Sequence, residues 1–397
     1  MSAQGMAHKA GRRVYLDHNA TAPLRPQARE AAVACLEGPG NASSVHTEGR
    51  AARAILERAR GHVAHLSGAE SRCVIFTSSA TEALALGLHP EPELDGRLAH
   101  CDVLLASAVE HPAVLRGHRF AQMETVAVDL QGRLDLDALE DALQRHAAAG
   151  RRAMVAVMAA NNETGVIQPV AEVARLGRAH DALILCDAVQ AAGRMKLDMS
   201  ALDVDFLSLS AHKIGGLQGA GALVVARAAH RPLAMLAGGG QERGRRAGTE
   251  NVPACAAFGA AAETALAGLE TEAPRLAALR DRLEREIIDT LPGVRVMGAG
   301  AERLANTTLL TFEDVRAETL VIALDLAGIS VSSGSACSSG KVGASHVLEA
   351  MQVPAEWAGG AIRLSLGWSS CEEDVDLAVE AFSKVLPRVR SRSVRAA

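Results

Sequence analysis

Short runs of consecutive apolar residues alternate along this chain with stretches whose apolar positions recur every three or four residues. The runs Val74–Phe76, Val103–Ala106, Ala153–Met158, Leu183–Cys186 and Ala222–Ala226 have strand length and carry no polar face. Such runs belong to strands covered on both sides. Between them, Ala52, Ile55, Ala59, Val63 and Leu66 fall on one helical face, as do Leu136, Leu139 and Leu143, and Val170, Val173 and Leu176. Strands alternating with helices predict an α/β fold, a mostly parallel central sheet with helices on both faces. Ligands of such folds bind where strand C-termini meet helix N-termini.

The last third has a different pattern. Leu276, Leu279, Leu283, Ile287 and Leu291 make one long amphipathic stripe, closed by Pro292-Gly293. Short strands are expected near Thr307–Thr311 and Ile362–Ser365, then a helix opening at Ser370 with Glu373 as its capping-box partner. We expect a large domain over residues 14–262 and a smaller α+β domain over residues 263–397, joined by residues 1–13.

Composition narrows the function classes. The 397 residues are 49% hydrophobic and 22% charged, with a net charge of −5. That is an ordinary globular balance, and it argues against bulk nucleic-acid or acidic-membrane binding. The longest apolar stretches, Ala153–Ala160 and Val252–Ala262, are shorter than the ~18 residues a spanning helix needs. Seven cysteines stand at 35, 73, 101, 186, 255, 337 and 371, with no CxxC pair. An odd, scattered set predicts reduced thiols and a cytoplasmic protein. Met1–Gly11 has no apolar core, so no secretory signal is expected.

Several polar groups interrupt the apolar pattern. Lys213 ends Ser210-Ala211-His212-Lys213, after an apolar run and before a glycine-dense stretch. An amine there is either a surface lysine in a turn or a desolvated Schiff-base lysine. Asp187 follows Leu183–Cys186 directly; it can cap a helix or bind magnesium, a ribose or a protonated ring nitrogen. Phe76-Thr77-Ser78-Ser79-Ala80-Thr81-Glu82 runs from a strand into a helix. It suits plain N-capping or a phosphate, without a nucleotide-binding glycine motif. Cys337 lies in Ser332–Gly340, a run without any large apolar side chain, so it is a candidate nucleophile. Gly238–Thr249 reads as a flexible basic loop, solvated or at a subunit contact.

The order of these groups, together with Tyr15–Pro23, Glu110-His111, Asn161–Gln168, Asp187-Ala188-Val189-Gln190, Gly239–Gly244 and Ile362–Gly367, resembles the NifS/IscS-type cysteine desulfurases. These are fold-type I enzymes dependent on pyridoxal 5'-phosphate. The resemblance spans nearly the whole chain and implies a set of roles. Lys213 would carry the cofactor. Asp187 would pair with its ring nitrogen. His111 would stack on the ring, move protons and activate Cys337. Asn162 and Gln190 would bond around the phenolic oxygen. Ala80, Thr81, Ser210, His212 and Thr249 would hold the phosphate, with Thr249 coming from the second copy of a homodimer. Arg363, with Asn162, would bind the carboxylate of L-cysteine. Cys337 would take the substrate sulfur as a persulfide and leave L-alanine. It would then pass sulfur to an acceptor such as an iron–sulfur scaffold protein, where it could transiently ligate iron. Other PLP chemistry, such as a selenocysteine lyase, β-lyase or aminotransferase, is the alternative. In place of the family's usual Ser-Gly-Ala-Thr-Glu, this chain has Ser78-Ser79-Ala80-Thr81-Glu82, which puts a hydroxymethyl where glycine lets backbone approach a phosphate.

Overall fold

The computed structural model describes residues 12–334 and 345–396, with side chains through residue 390. A seven-stranded sheet runs in the order Val74–Thr77, Gly221–Val225, Phe206–Ser210, Leu183–Asp187, Ala153–Met158, Val103–Ser107 and Met123–Val126. Only Gly221–Val225 is antiparallel to its neighbours. Every residue of the five inner strands is buried, which is why their apolar runs are continuous rather than alternating. The edge strand Met123–Val126 was not legible as a strand. Most of its residues are partly or fully exposed, so it needs no apolar run.

A second layer of structure has its own core. Val294–Val296, Thr307–Phe312, Ala361–Ser365 and Ser332–Ser333 form an antiparallel sheet in that order. Phe312, Leu320, Ile362 and Phe382 pack there with Leu276, Leu283 and Ile287. Val14 and Leu16 join this second core, because Val14–Tyr15 pairs in parallel with Ile329–Ser330.

The division expected at residue 262 falls inside one helix, Val252–Thr290. Cys255, Phe258 and Ala262 on its first half fill the large core, and Leu276 to Ile287 fill the second. This helix holds an 18-residue window apolar enough to cross a membrane, of mean hydropathy 1.4. The apolar stretch Val252–Ala262 is too short to span on its own, but the helix that contains it runs on to Thr290. Pro253 sits in the first turn, where its missing N–H costs nothing. Gly259 is a crossing point: a Cβ there would stand 2.5 Å from Ala59 Cα. The first part of the helix packs on the core helix Thr47–Leu66 through Gly259 and Ala59.

Two local expectations are corrected. The last helix spans Glu372–Ala396 and does not open at Ser370. Ser370 Oγ accepts Gly367 N–H, and the reciprocal carboxylate is Asp374, which accepts Cys371 N–H at 3.0 Å. The basic loop is pinned rather than free. Glu242 is buried and accepts both Arg60 guanidinium nitrogens, at 2.7 and 2.8 Å, and Phe76 N–H. Left-handed backbone at Glu242 and Arg243 is held in place by that pairing.

Candidate active site

The parallel strands deliver their carboxyl ends to one side of the sheet, and the polar groups picked out above collect there. Asp187 ends its strand, Ser210 ends the next, and Thr77 leads into the helix Ala80–Gly87. Ala80, Thr81, His111, Asn162, Asp187, Gln190, Ser210, His212 and Lys213 line a single cleft.

Lys213 follows the strand Phe206–Ser210 on a single 3-10 turn. Its Nζ donates to the carbonyls of Asn19 and Ala20, at 2.6 and 2.9 Å. Arg194 fixes the lysine from behind: it donates to the carbonyls of Lys213 and His18 and to the Gln190 side chain. Burial without a carboxylate partner, and the nearby Arg363 charge, pull Arg194 down to about 9. Nothing in the local sequence singled out Arg194, since its contacts with His18 and Lys213 join positions distant in the chain.

Asp187 is buried, and Val189 N–H donates to its Oδ1 at 3.0 Å. Desolvation pushes its carboxyl up to about 6, opposed by that hydrogen bond and by Lys213. A cation placed against it would recover the lost solvation, so the site favours a protonated ring nitrogen. Glu110, wholly buried nearby, is pushed well up by desolvation and by Asp187. It accepts Met158 N–H at 2.6 Å and leaves Oε2 without a partner.

His111 caps the short helix Pro112–Leu115: Ala113 N–H donates to its Nδ1 at 3.1 Å. That assigns the ring proton to Nε2. Desolvation first, then Lys213 and His346, pull its pKa down to about 4, so the ring is neutral at pH 7. His212 is likewise pulled to about 4 by burial and Lys213, with Nδ1 3.2 Å from Thr21 Oγ1.

The Ser79 hydroxymethyl does not crowd the helix start. Ser79 has extended backbone, and its hydroxyl accepts Glu82 N–H as the N-cap. The close approach is made instead at Gly221, where a Cβ would stand 2.4 Å from Ser79 C and 2.7 Å from Ala80 N.

Arg363 stands behind the cleft wall, buried in the strand Ala361–Ser365. It donates to the Asn162 carbonyl at 3.0 Å and to Asp17 Oδ1 at 2.8 Å, and its Nε–H has no partner. An unsatisfied buried N–H on a guanidinium suits a carboxylate ligand. Asp17 also accepts the Ser332 hydroxyl at 2.7 Å. Thr249 is exposed and does not line the cleft of its own chain. Cys337 lies outside the described residues, and so does its expected iron ligation. Among the described residues no three His, Cys, Asp or Glu converge as a metal site. Burial pushes the thiols of Cys101 and Cys255 up to about 12 and those of Cys35, Cys73 and Cys186 upward. Those five are held protonated and inert.

This chemistry fits pyridoxal 5'-phosphate: an amine for its aldehyde, a buried carboxylate for its ring nitrogen, a flat imidazole, and a helix N-terminus with hydroxyls for its phosphate. A model of the class-V aminotransferases matches residues 14–378, and the chain belongs to that pyridoxal-phosphate-dependent family. Among its relatives, a cysteine desulfurase of Sinorhizobium fredii is 42% identical over 96% of this chain and 98% of its own. One from Cereibacter sphaeroides is also 42% identical, over 96% and 97%. Of solved structures, a NifS-like protein from Rickettsia africae superposes with a TM-score of 0.84, at 33% identity, over 94% of this chain and 99% of its own. SspA in complex with cysteine matches at 0.74 and 25% identity, over 89% and 98%. The mostly parallel sheet with a smaller α+β unit is the fold-type I architecture of these enzymes.

Proposed function

We propose that this chain is a cysteine desulfurase that moves sulfur from L-cysteine to Cys337 and releases L-alanine. The observation that carries the reading is 42% identity to a cysteine desulfurase along almost the full length of both chains. When bound, the cofactor supplies an electron sink for charge developing on the substrate carbons. Arg363, held by its bond to the Asn162 carbonyl, offers its unpartnered Nε–H to the substrate carboxylate. Lys213 leaves the Asn19 and Ala20 carbonyls and takes the Cα proton at Nζ. Asp187 keeps its negative charge against the ring nitrogen. His111, neutral with its proton on Nε2, stabilises a thiolate as a donor rather than deprotonating it. The Cys337 thiolate attacks the substrate sulfur. An S–S bond forms, the Cβ–S bond breaks, and its electron pair leaves with carbon. Cβ takes up one proton, Cα recovers a proton from the Lys213 amine to give alanine, and Cys337 keeps a persulfide.

Borohydride treatment of the yellow protein is expected to fix the chromophore to Lys213. Labelled cysteine is expected to yield one alanine per sulfur on Cys337. Release of alanine by Cys337→Ser at the wild-type rate would overturn the assignment. Turnover that depends on a keto acid would point to an aminotransferase.

The same reading extends to partners. The chain works as a homodimer in which Thr249 completes the neighbouring cleft, a role its exposure supports. The persulfide goes to an acceptor protein, such as an iron–sulfur scaffold with which Cys337 shares iron as cargo. A cytoplasmic location is supported by the six described cysteines, all of them unpaired.

A further inference from the structure

The segment Tyr15–Pro23 runs alongside the turn that carries Lys213 and is bonded to it at successive residues. The Asn19 and Ala20 carbonyls accept Lys213 Nζ. Ala22 N–H donates to the His212 carbonyl at 2.9 Å. Just beyond, Arg25 donates from its N–H to the Gly215 carbonyl and from its Nε to the Ile214 carbonyl, both at 2.9 Å. These bonds end on backbone carbonyls and hold the course of the turn. One further contact joins two side chains: Thr21 Oγ1 lies 3.2 Å from His212 Nδ1.

Thr21 is itself held in place. Its carbonyl accepts Tyr15 O–H at 2.8 Å, and its N–H donates to the Asp17 carbonyl at 3.4 Å. Thr21 does not line the cleft, whereas His212 does. With Nδ1 engaged by Thr21, Nε2 is the ring atom left for a ligand of the cleft. His212 is neutral at pH 7, because burial and Lys213 pull it down to about 4, so the ring carries a single proton. A proton on Nδ1 would leave a lone pair on Nε2, which repels an anion. A proton on Nε2 makes that atom a donor, and it then requires a donor to Nδ1. A hydroxyl can supply one.

We propose that Thr21 is a positioning residue for the cofactor phosphate: its hydroxyl donates to His212 Nδ1 and so holds the imidazole in the form whose Nε2–H donates to the phosphate. The inference rests on the phosphate role given to His212 above. Valine at position 21 keeps the branched shape and removes the hydroxyl, so Nδ1 loses its donor. Serine keeps the hydroxyl.

The test titrates cofactor-stripped protein with pyridoxal 5'-phosphate and with pyridoxal, which lacks the phosphate. It compares the unsubstituted chain with Thr21→Val, Thr21→Ser and His212→Gln. Thr21→Val is expected to weaken pyridoxal 5'-phosphate binding about tenfold, the size of one weakened hydrogen bond to a charged group. Pyridoxal affinity is expected to stay unchanged, and Thr21→Ser to restore most of the loss. Nitrogen-15 spectra of the histidine-labelled, cofactor-loaded protein are expected to show His212 protonated at Nε2 alone, its signals assigned by their absence in His212→Gln. Unchanged pyridoxal 5'-phosphate affinity in Thr21→Val overturns the proposal. So does an equal loss toward pyridoxal, which would mean that Thr21 only braces the turn, and so does failure of serine to rescue or a proton found on Nδ1. If His212→Gln binds pyridoxal 5'-phosphate as the unsubstituted chain does, the phosphate role of His212 fails as well. A loss in His212→Gln without one in Thr21→Val sinks the role of Thr21 alone.

Discussion

Buried ionisable side chains set the chemistry of individual positions in this protein. Asp187, Glu110 and Glu163 are all carboxyls raised by desolvation, but they differ in what surrounds them. Asp187 faces an amine across a cleft, Glu110 has an orphaned oxygen in the interior, and Glu163 holds a serine. Glu163 allows a signed prediction. Its folded pKa, about 7, exceeds the ordinary value of 4.5. Stability from the neutral form is therefore complete below about pH 4.5 and is lost as pH rises through about 7, because the unfolded chain releases this proton sooner. Replacing it with glutamine removes the loss. Urea unfolding is expected to show Glu163→Gln gaining on the wild type between pH 5 and pH 8, by up to about 3 kcal/mol. A difference that stays flat with pH would mean that this carboxyl titrates normally when folded.

At the scale of elements, close approach of backbones matters more than any one hydrogen bond. The strand Gly221–Val225 runs against the rest of the sheet and passes directly under the start of the helix Ala80–Gly87. Only a residue without Cβ fits at 221, because the neighbours are backbone atoms of Ser79 and Ala80, not movable side chains. Gly221→Ala is expected to lift the helix start and cost about 1–3 kcal/mol. The readout is equilibrium binding of pyridoxal 5'-phosphate to stripped protein, expected to weaken about tenfold with the loss of ~1.4 kcal/mol. Unchanged cofactor affinity would mean that the amides of Ala80 and Thr81 do not hold the phosphate. The loop with Glu242 shows the same principle from the other side. Its bidentate pair with Arg60, which also stacks on Phe76, joins the loop to the helix Thr47–Leu66.

At the scale of the whole molecule, Thr249 is exposed on its own chain, and the proposed homodimer puts it in the neighbouring cleft. Arg246 holds this part of the loop to Glu82 at 2.8 Å, so Thr249 projects outward from a fixed base. Mixing subunits tests the assignment. Lys213→Ala and Thr249→Ala are each expected to be impaired alone. A re-associated mixture is expected to exceed the sum of the two, because the Lys213→Ala subunit lends its threonine to a neighbour with an intact lysine. No gain on mixing would mean that each chain completes its own site.

Much of this was readable from residues alone, for a physical reason. A strand buried on both faces must be apolar throughout, so Ala153–Met158 and Leu183–Asp187 announce themselves locally. Polar groups at the ends of such strands, Asp187, Ser210 and Lys213, stand out against that background. Partnerships between distant residues have no such local trace. Asp17 with Arg363 spans 346 positions, and Glu163 with Ser345 and Glu242 with Arg60 each span 182. No periodicity relates them, because the chain folds back through different elements before they meet. The sequence determined which faces are buried and which chemical groups end the strands. Only the tertiary structure decided which of those groups touch, since pairing depends on the path of the backbone between them.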